Sequence, residues 1–233
     1  MKDHRRPSCP SEFSFIRDCD CFWIDESLSD DSETKTVYLT FDAGYENGNV
    51  EKILDVLKEK DVPGAFFILI NLINKNGDLV KRMANEGHLV CNHTAMHKDM
   101  SKITDEKDFG DELEKLSDAY EELTGSEIAP FYRAPEGRFS LQNLKFAENL
   151  GYSTVLWSFA YADWDNKSQM SREAAEKKIL DNVHNGAVLL LHPTSATNAS
   201  ILGDVIDTLK EEGYSFGTLY DLRENCRAAR NKQ

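Results

Sequence analysis

The chain has 233 residues, of which 41 are acidic and 27 basic, so its net charge of -14 would repel nucleic acid and anionic lipid surfaces. Its hydrophobic fraction of 40% and charged fraction of 29% are typical of a globular protein with a full core. The longest apolar run, residues 65–70, is too short to span a bilayer. We therefore expect no nucleic acid and no lipid partner, and solubility alone is enough to account for the charge.

Residues 1–35 lack hydrophobic periodicity and end in an acidic polar run at 25–33, which predicts an irregular surface arm. The charged start is not followed by the apolar core of a signal peptide, so either the chain is cytoplasmic or a leader precedes it. The five cysteines are unevenly spaced and include no CxxC pair, which favours reduced thiols over a disulfide framework. One bridge among Cys9, Cys19 and Cys21 stays open if the chain is exported.

From residue 36 onward, short apolar runs rich in β-formers alternate with segments whose apolar residues recur at helical spacing. The predicted strands lie at residues 37–41, 65–70, 88–91, 128–133, 152–157, 187–191 and 214–216. About seven repetitions of strand and helix predict an α/β fold, in which a parallel sheet forms a closed or nearly closed barrel with outer helices. No repeat or linker interrupts the series, so we predict one domain at residues 36–225 and a tail at 226–233.

Titratable side chains stand at or just beyond the ends of several predicted strands. They are Asp42, His93 with His97, Arg133, Asp163 and His192. Because the carboxyl ends of parallel strands meet at one edge, these groups are expected to converge at a common mouth, where such folds place their catalytic residues. The sequence therefore predicts an enzyme.

Asp42 follows an apolar run, and Gly44 lets the chain turn sharply beside a ligand. A carboxylate at this point can serve as a general base, as a metal ligand or simply as a helix N-cap. Arg133 is the expected partner of Asp42 if it is buried at the mouth. An arginine before a turn is just as often a surface residue, so the sequence leaves both roles open.

Three further positions carry candidate groups. His93 and His97 are four residues apart, so on a helical turn both imidazoles could share one divalent ion, although surface or capping histidines are the commoner outcome. Asp163 and Trp164 follow a strand, where they can hold a histidine and wall a pocket, or simply join the core. His192 ends an apolar run and is either a structural or a catalytic histidine.

Together these groups fit the hydrolysis of an amide. A metal held by His93 and His97 would polarise a carbonyl and activate water. Asp42 would take the proton of that water, and His192 would protonate the departing amine.

In order and spacing, these segments resemble the polysaccharide deacetylase family, also called the NodB-homology domain or carbohydrate esterase family 4, over residues 38–222. Residues 40–48, the pair Asp163 and Trp164, and residues 191–198 are most similar to the branch that de-N-acetylates muramic acid in peptidoglycan. That branch forms the δ-lactam of spore cortex. The resemblance implies a distorted (β/α) barrel and a hydrolase that acts on a peptidoglycan glycan strand during sporulation.

By this resemblance, Asp42 is the catalytic base and His192 is the acid. Arg133 orients Asp42 and pairs with its charge, and Asp163 tunes His192. The implied substrate contacts come from Tyr45, Glu136, Trp164, Leu189 and Leu191. Among these, the backbone N–H at Glu136 would stabilise the oxyanion, and the two leucines would wall the acetyl methyl group.

The resemblance also implies that His93 and His97 hold a divalent metal, with zinc as the expected ion. The common family pattern has a second acidic residue directly after the base as a third ligand, whereas this chain has Ala43. An alanine cannot coordinate an ion, so we expect the metal to be weakly held. The δ-lactam branch also lacks that carboxylate, so the change fits an active member of this branch.

Two other functions stay open. The first is a chitooligosaccharide or N-acetylglucosamine deacetylase, against which Ala43 and residues 45–48 count. The second is a glycan-binding pseudoenzyme, which Ala43 favours and the retained Asp42 and His192 disfavour. Because peptidoglycan lies outside the membrane, the resemblance implies an extracytoplasmic protein, and the oligomeric state stays open.

Overall fold

The computed structural model describes residues 4–232, and within that range nine strands form one sheet whose paired strands all run parallel. The strands are β1 (Cys21–Phe22), β2 (Lys35–Ala43), β3 (Ala65–Ile68), β4 (Leu89–Asn92), β5 (Ala129–Tyr132), β6 (Ser153–Val155), β7 (Phe159–Ala160), β8 (Ala187–Leu191) and β9 (Tyr214–Phe216). Eight of them follow the order β1-β6-β5-β4-β3-β2-β8-β7, and β9 pairs with the start of β2.

This sheet and its outer helices confirm the predicted α/β fold of the distorted-barrel type. All seven predicted strands are present. The additional strands, β1 and β7, have two residues each, which is too short for hydrophobic periodicity to identify them.

Seven α-helices lie within the described residues. They are α1 (Val50–Lys60), α2 (Ile70–Asn85), α3 (Glu106–Thr124), α4 (Leu141–Asn149), α5 (Arg172–Leu180), α6 (Ala196–Glu211) and α7 (Leu219–Arg230). The last five helices each begin after a residue whose side-chain oxygen accepts a backbone N–H of the first turn. Such caps satisfy one of the amide groups that a helix start leaves unpaired, so the sequence itself fixes where these helices begin.

Strand β2 separates two apolar layers. Its odd-numbered residues 37–43 pack in the large cluster that contains the apolar sides of α1, α2 and α6. Tyr38 packs in a second cluster, which is covered by leucines of α7. Because side chains alternate along a strand, Thr40 and Asp42 lie on the same side as Tyr38. This alternation carries Asp42 to the carboxyl end of the barrel interior.

The segment predicted as an irregular arm is instead built into the sheet. Residues Ser11–Asp18 form a 3-10 helix, and Cys21 of β1 then pairs with Thr154 of β6. Farther on, Asp25 is completely buried, and its Oδ2 accepts a hydrogen bond of 2.6 Å from the hydroxyl of Tyr38. The arm was predicted because a two-residue strand leaves no periodic pattern. Residues 1–3 lie outside the described part of the chain.

The predicted tail at 226–233 starts inside α7, since Cys226 lies on that helix and is completely buried. Residue 233 lies outside the described part of the chain. Packing thus continues across residues 35 and 225, and the domain boundaries placed there stay predictions. The five cysteines carry free thiols. Among residues 4–232, no helix combines the length and the apolar character that a membrane crossing requires.

Candidate active site

A cavity of about 660 Å³ opens at the carboxyl ends of the strands. It is lined by Asp42, Gly44, Tyr45, Leu69, His93, His97, Glu136, Trp157, Ala160, Tyr161, Trp164, Leu190, His192 and Thr194. Seven of the predicted site residues are in this set, although they come from distant parts of the chain. Arg133 and Asp163 do not line the cavity but contact residues that do.

Arg133 is completely buried and holds Asp42 in place. Its Nη1 donates to Asp42 Oδ1 at 2.8 Å. Its other donors reach the carbonyl of Val155 at 2.9 Å and the hydroxyl of Thr40 at 2.9 Å, and its guanidinium lies 4.1 Å from the ring centre of Phe67. A guanidinium fixed by several hydrogen bonds has little freedom, so the carboxylate that it binds is fixed as well. The predicted partnership of Arg133 and Asp42 is therefore present.

Asp42 is poised as a base. Burial by itself would raise the pKa of its carboxyl, but the nearby His93, Arg133 and His192 outweigh burial and lower this pKa below the ordinary value of 3.8. Asp42 is therefore ionised at neutral pH and able to accept a proton. Its Oδ2 lies 3.5 Å from Nε2 of His93.

His93 is buried and held in one tautomer. Its Nδ1 lies 2.9 Å from the backbone carbonyl of Arg133, and because a carbonyl only accepts, Nδ1 carries the proton. The unprotonated Nε2 then faces Asp42. Burial lowers the pKa of His93, the nearby Asp42 charge opposing this effect, so the ring is neutral at pH 7. A neutral imidazole whose second nitrogen donates to a carbonyl is the usual form of a metal ligand.

The two histidines do not share a helical turn as the spacing had suggested. Residues 93–97 form a loop, in which Thr94 and His97 adopt positive φ angles of 72° and 55°. The loop is pinned at its start, because Asn92 accepts the N–H of Thr94 at 2.9 Å and Thr94 accepts the N–H of His97 at 3.0 Å. The rings of His93 and His97 still lie close, with centres 5.1 Å apart.

These residues fit a divalent ion only in part. His93 and His97 offer two imidazole nitrogens at the cavity, whereas Ala43 is completely buried in the apolar core. Across residues 4–232, no group of three or more histidine, cysteine, aspartate or glutamate side chains is arranged to hold a metal ion. Two imidazoles make an open site that other ligands must complete.

His192 is held by Asp163 through two contacts. Its Nδ1 donates to Asp163 Oδ1 at 2.7 Å, and its backbone N–H donates to Asp163 Oδ2 at 2.8 Å. Burial by itself would lower the pKa of His192, but the hydrogen bond and charge of Asp163 outweigh it, and Asp42 adds to the rise above the ordinary 6.5. His192 is therefore able to carry a proton near neutral pH, with Nε2 left for a reactant.

Two buried polar residues of the site were missed by sequence reasoning. The hydroxyl of Thr40 accepts from Arg133 and donates to the carbonyl of Leu189 at 2.6 Å. Asn198 donates to Asp163 at 2.6 Å. Thr40 could have been found from its place two residues before Asp42 on the same strand face. Asn198 ends the segment 191–198 that carries the resemblance, but nothing in that segment assigned it a role.

Three predicted contact residues form the rim. Tyr45 is 44% and Trp164 60% exposed, and the ring centre of Trp164 lies 6.1 Å from that of His192. Glu136 has a φ of 56°, and its carboxylate pairs with Arg138 at 3.0 Å. The predicted role of its backbone N–H requires no side chain.

The expectation for Leu189 and Leu191 needs correction. Both are buried in the cluster that packs against the outer helices, and Leu190 between them lines the cavity instead. Successive side chains of a strand point to opposite faces of the sheet. A shift of one residue therefore exchanges the residues that face the cavity with those that face the outer helices.

Comparisons with known proteins agree with this geometry. Residues 29–155 match the family model described as polysaccharide deacetylase. The peptidoglycan-N-acetylmuramic acid deacetylase PdaA of Bacillus subtilis is 38% identical over 94% of this chain and 82% of its own length. Its solved structure superposes with a TM-score of 0.88 at 37% identity, over 94% of this chain and 92% of that chain. A peptidoglycan-N-acetylglucosamine deacetylase of Bacillus cereus is 34% identical over 78% of this chain and 66% of its own length.

Proposed function

Because the chain belongs to the polysaccharide deacetylase family and is thus a hydrolase, we propose that it removes the N-acetyl group of N-acetylmuramic acid residues in peptidoglycan and releases acetate. The observation that carries this proposal is the opposite tuning of two groups on one cavity. Asp42 has a lowered pKa and His192 a raised one, which gives a base and an acid at the same pH.

Each step of the reaction has a group in the cavity. Asp42 takes a proton from the water whose oxygen bonds to the acetamide carbon, while Arg133 keeps the carboxylate oriented. His192 then donates a proton from Nε2 to the amide nitrogen as the carbon–nitrogen bond breaks, so acetate and a free amine are the products. Asp163 stabilises the charged imidazole until it gives up that proton.

The imidazoles of His93 and His97 would hold a divalent ion, with zinc as the expected one, and the ion would supply polarisation of the acetamide carbonyl. The unprotonated Nε2 of His93 supports this assignment. Ala43 supports weak binding.

Similarity to a relative named for N-acetylmuramic acid supports the choice of sugar. Deacetylation of muramic acid frees an amine beside the lactyl carboxyl group of the same residue, and these are the two groups that form the δ-lactam of spore cortex. We therefore propose a role in sporulation and an extracytoplasmic location, since this substrate lies outside the membrane. The relative named for N-acetylglucosamine makes that sugar the second candidate.

The test is acetate release from glycan strands stripped of peptide, with zinc or cobalt added. We expect wild-type protein to release acetate, and Asp42→Asn to lose about a thousandfold in rate while it still binds the strand. Asp111→Asn, which changes an exposed carboxylate on α3, should match wild type. Unchanged release by Asp42→Asn would contradict the mechanism.

Mass spectrometry of the product identifies the sugar. New amines on muramic acid support the proposal, and new amines on glucosamine support the second candidate. Binding without any release would indicate a pseudoenzyme.

A further inference from the structure

Asn198 lies next to the proposed acid His192 and forms hydrogen bonds with three residues of the site, Asp163, His192 and Tyr161. It lies in the first turn of α6 and is 1% exposed. Its Nδ2 donates to Asp163 Oδ2 at 2.6 Å and to the backbone carbonyl of His192 at 3.1 Å. Its Oδ1 accepts a hydrogen bond from the hydroxyl of Tyr161.

We propose that Asn198, oriented by Tyr161, is a positioning residue that holds the carboxylate of Asp163 in line with the ring of His192. The inference rests on the proposed function only in so far as His192 is the acid of that reaction. Asn198 does not line the cavity, so it acts through Asp163 and not on the substrate.

The hydrogen bonds of Asp163 explain why a second support is needed. Among the described residues, its Oδ1 accepts from the ring of His192 alone, and its Oδ2 accepts from the backbone of His192 and from Asn198. Without Asn198, the carboxylate would keep two contacts, both to the residue that it is meant to orient. Of these two contacts, only that from the backbone N–H of His192 does not turn with the imidazole, so one hydrogen bond would be left to fix the carboxylate and its terminal bond would be freer to rotate.

Tyr161 sets which way the amide of Asn198 points. Burial raises the pKa of Tyr161, so the phenol keeps its proton and donates it to Oδ1. The amino group of Asn198 must therefore face Asp163. A flipped amide would place an oxygen against the carboxylate and would leave two acceptors facing each other.

A purely structural role is the competing explanation, because a buried asparagine in a first helical turn also stabilises the fold. The N–H of Asn198 indeed donates to Ser195 at 3.1 Å, but this backbone contact survives when the side chain is changed. Asn143 offers a matched control. It is also buried, at 2% exposed, follows its own helix cap by three residues and donates through Nδ2 to the carbonyl of Ile103 at 2.9 Å.

The experiment compares Asn198→Ala, Tyr161→Phe and Asn143→Ala with wild type in the full chain. Acetate release gives kcat and KM, and thermal unfolding confirms that each variant folds. The pKa of His192 is measured separately by NMR titration of the imidazole, which needs no turnover. Besides Asp163, the charged groups that act on this ring are Asp42 and Arg133, and none of the variants changes them.

For Asn198→Ala we expect kcat to fall about tenfold or more with KM nearly unchanged, because the acid is misaligned while substrate contacts remain. The pKa of His192 should fall as its carboxylate partner becomes less well placed. Tyr161→Phe should move both quantities in the same direction by a smaller amount. If Asn198→Ala does not fold, the pKa of His192 in Tyr161→Phe carries the test, because Tyr161 also lines the cavity and its kcat could change for that reason. Asn143→Ala should leave both at wild-type values.

The inference is overturned if Asn198→Ala loses stability as Asn143→Ala does but keeps the wild-type kcat and the wild-type pKa of His192. If the wild-type protein releases no acetate, the proposed function fails. The NMR titration of His192 alone then decides whether Asn198 positions Asp163 and His192.

Discussion

The backbone carbonyl of Arg133 accepts the Nδ1 proton of His93 at 2.9 Å. The side chain of the same arginine donates to Asp42 at 2.8 Å. One residue directly after β5 therefore supports both the proposed base and a proposed metal ligand. Any change that shifts Arg133 is expected to disturb two functions at once.

Arg133→Lys tests this shared support. A lysine keeps the charge but cannot reproduce the bonds to Asp42, Thr40 and the carbonyl of Val155 together. We expect the free energy of unfolding to fall by about 2–3 kcal/mol. The deacetylation rate should fall about a hundredfold, because the base loses its fixed orientation. Urea unfolding and acetate release measure the two effects.

The matched control is Arg172→Lys, since Arg172 is half exposed and pairs with Asp204 on the surface between α5 and α6. A surface ion pair of this kind contributes little, so we expect both quantities to stay near wild type. Equal losses in Arg133→Lys and Arg172→Lys would mean that Arg133 has no special role in the site.

The pH dependence of the rate follows from the two tuned groups. The pKa of His192 is raised above 6.5, so the acid stays protonated to a pH above that value, and the rate is lost as pH rises through the raised pKa. The pKa of Asp42 is lowered below 3.8, so the base loses its charge only below that pH.

The stability contributed by the His192–Asp163 pair has the same alkaline limit. It is fully present below pH 6.5 and is lost as pH rises through the raised pKa.

Asp163→Asn should move that alkaline limit toward lower pH, because burial lowers the pKa of His192 once the carboxylate is gone. The profile of kcat/KM against pH measures the shift in the free enzyme. Asp165→Asn is the control, since Asp165 is exposed two residues farther along the chain. An alkaline limit that stays in place in Asp163→Asn would show that His192 does not set it.

Metal binding is expected to depend on His93. Removing its imidazole leaves one protein nitrogen at the site, so His93→Ala should weaken zinc binding at least about tenfold in calorimetric titration. His184→Ala is a matched control, because His184 is also a buried imidazole but lies away from the cavity, beside Ser158. Wild-type affinity in His93→Ala would exclude the two-imidazole site.

The sequence predicted those parts of the site that depend on strand order alone. A parallel sheet brings strand ends together whatever the detailed packing, so the convergence of Asp42, His93 and His192 followed from the alternation of strands and helices. The conformation of loop 93–97 was not predicted, because the positive φ angle at Thr94 goes with a local hydrogen bond from its N–H to the side chain of Asn92, which hydrophobic periodicity does not reveal.

Asn198 was missed for a related physical reason. It meets Asp163 across 35 positions of sequence, and a polar residue in the first turn of a helix is most simply explained as part of a cap. The cavity-facing residues of β8 that the resemblance implied were wrong, and the run 187–191 could not correct them because it is apolar throughout. A strand buried on both sides shows no alternation of apolar and polar residues, so its sequence does not show which side chains face the cavity.

Leu190→Ala and Leu189→Ala together test the corrected face of β8. Leu190 lines the cavity, so its truncation should lower kcat/KM about tenfold because it removes apolar surface from the cavity wall. The cost in unfolding free energy should be small, about 1–2 kcal/mol, because the space that the leucine side chain leaves opens into the cavity.

Leu189 is completely buried against the outer helices, so Leu189→Ala should cost about 2–5 kcal/mol and leave kcat/KM of the folded protein nearly unchanged. Urea unfolding and acetate kinetics on both variants would return the opposite pattern if the sequence-based assignment of Leu189 to the cavity were right.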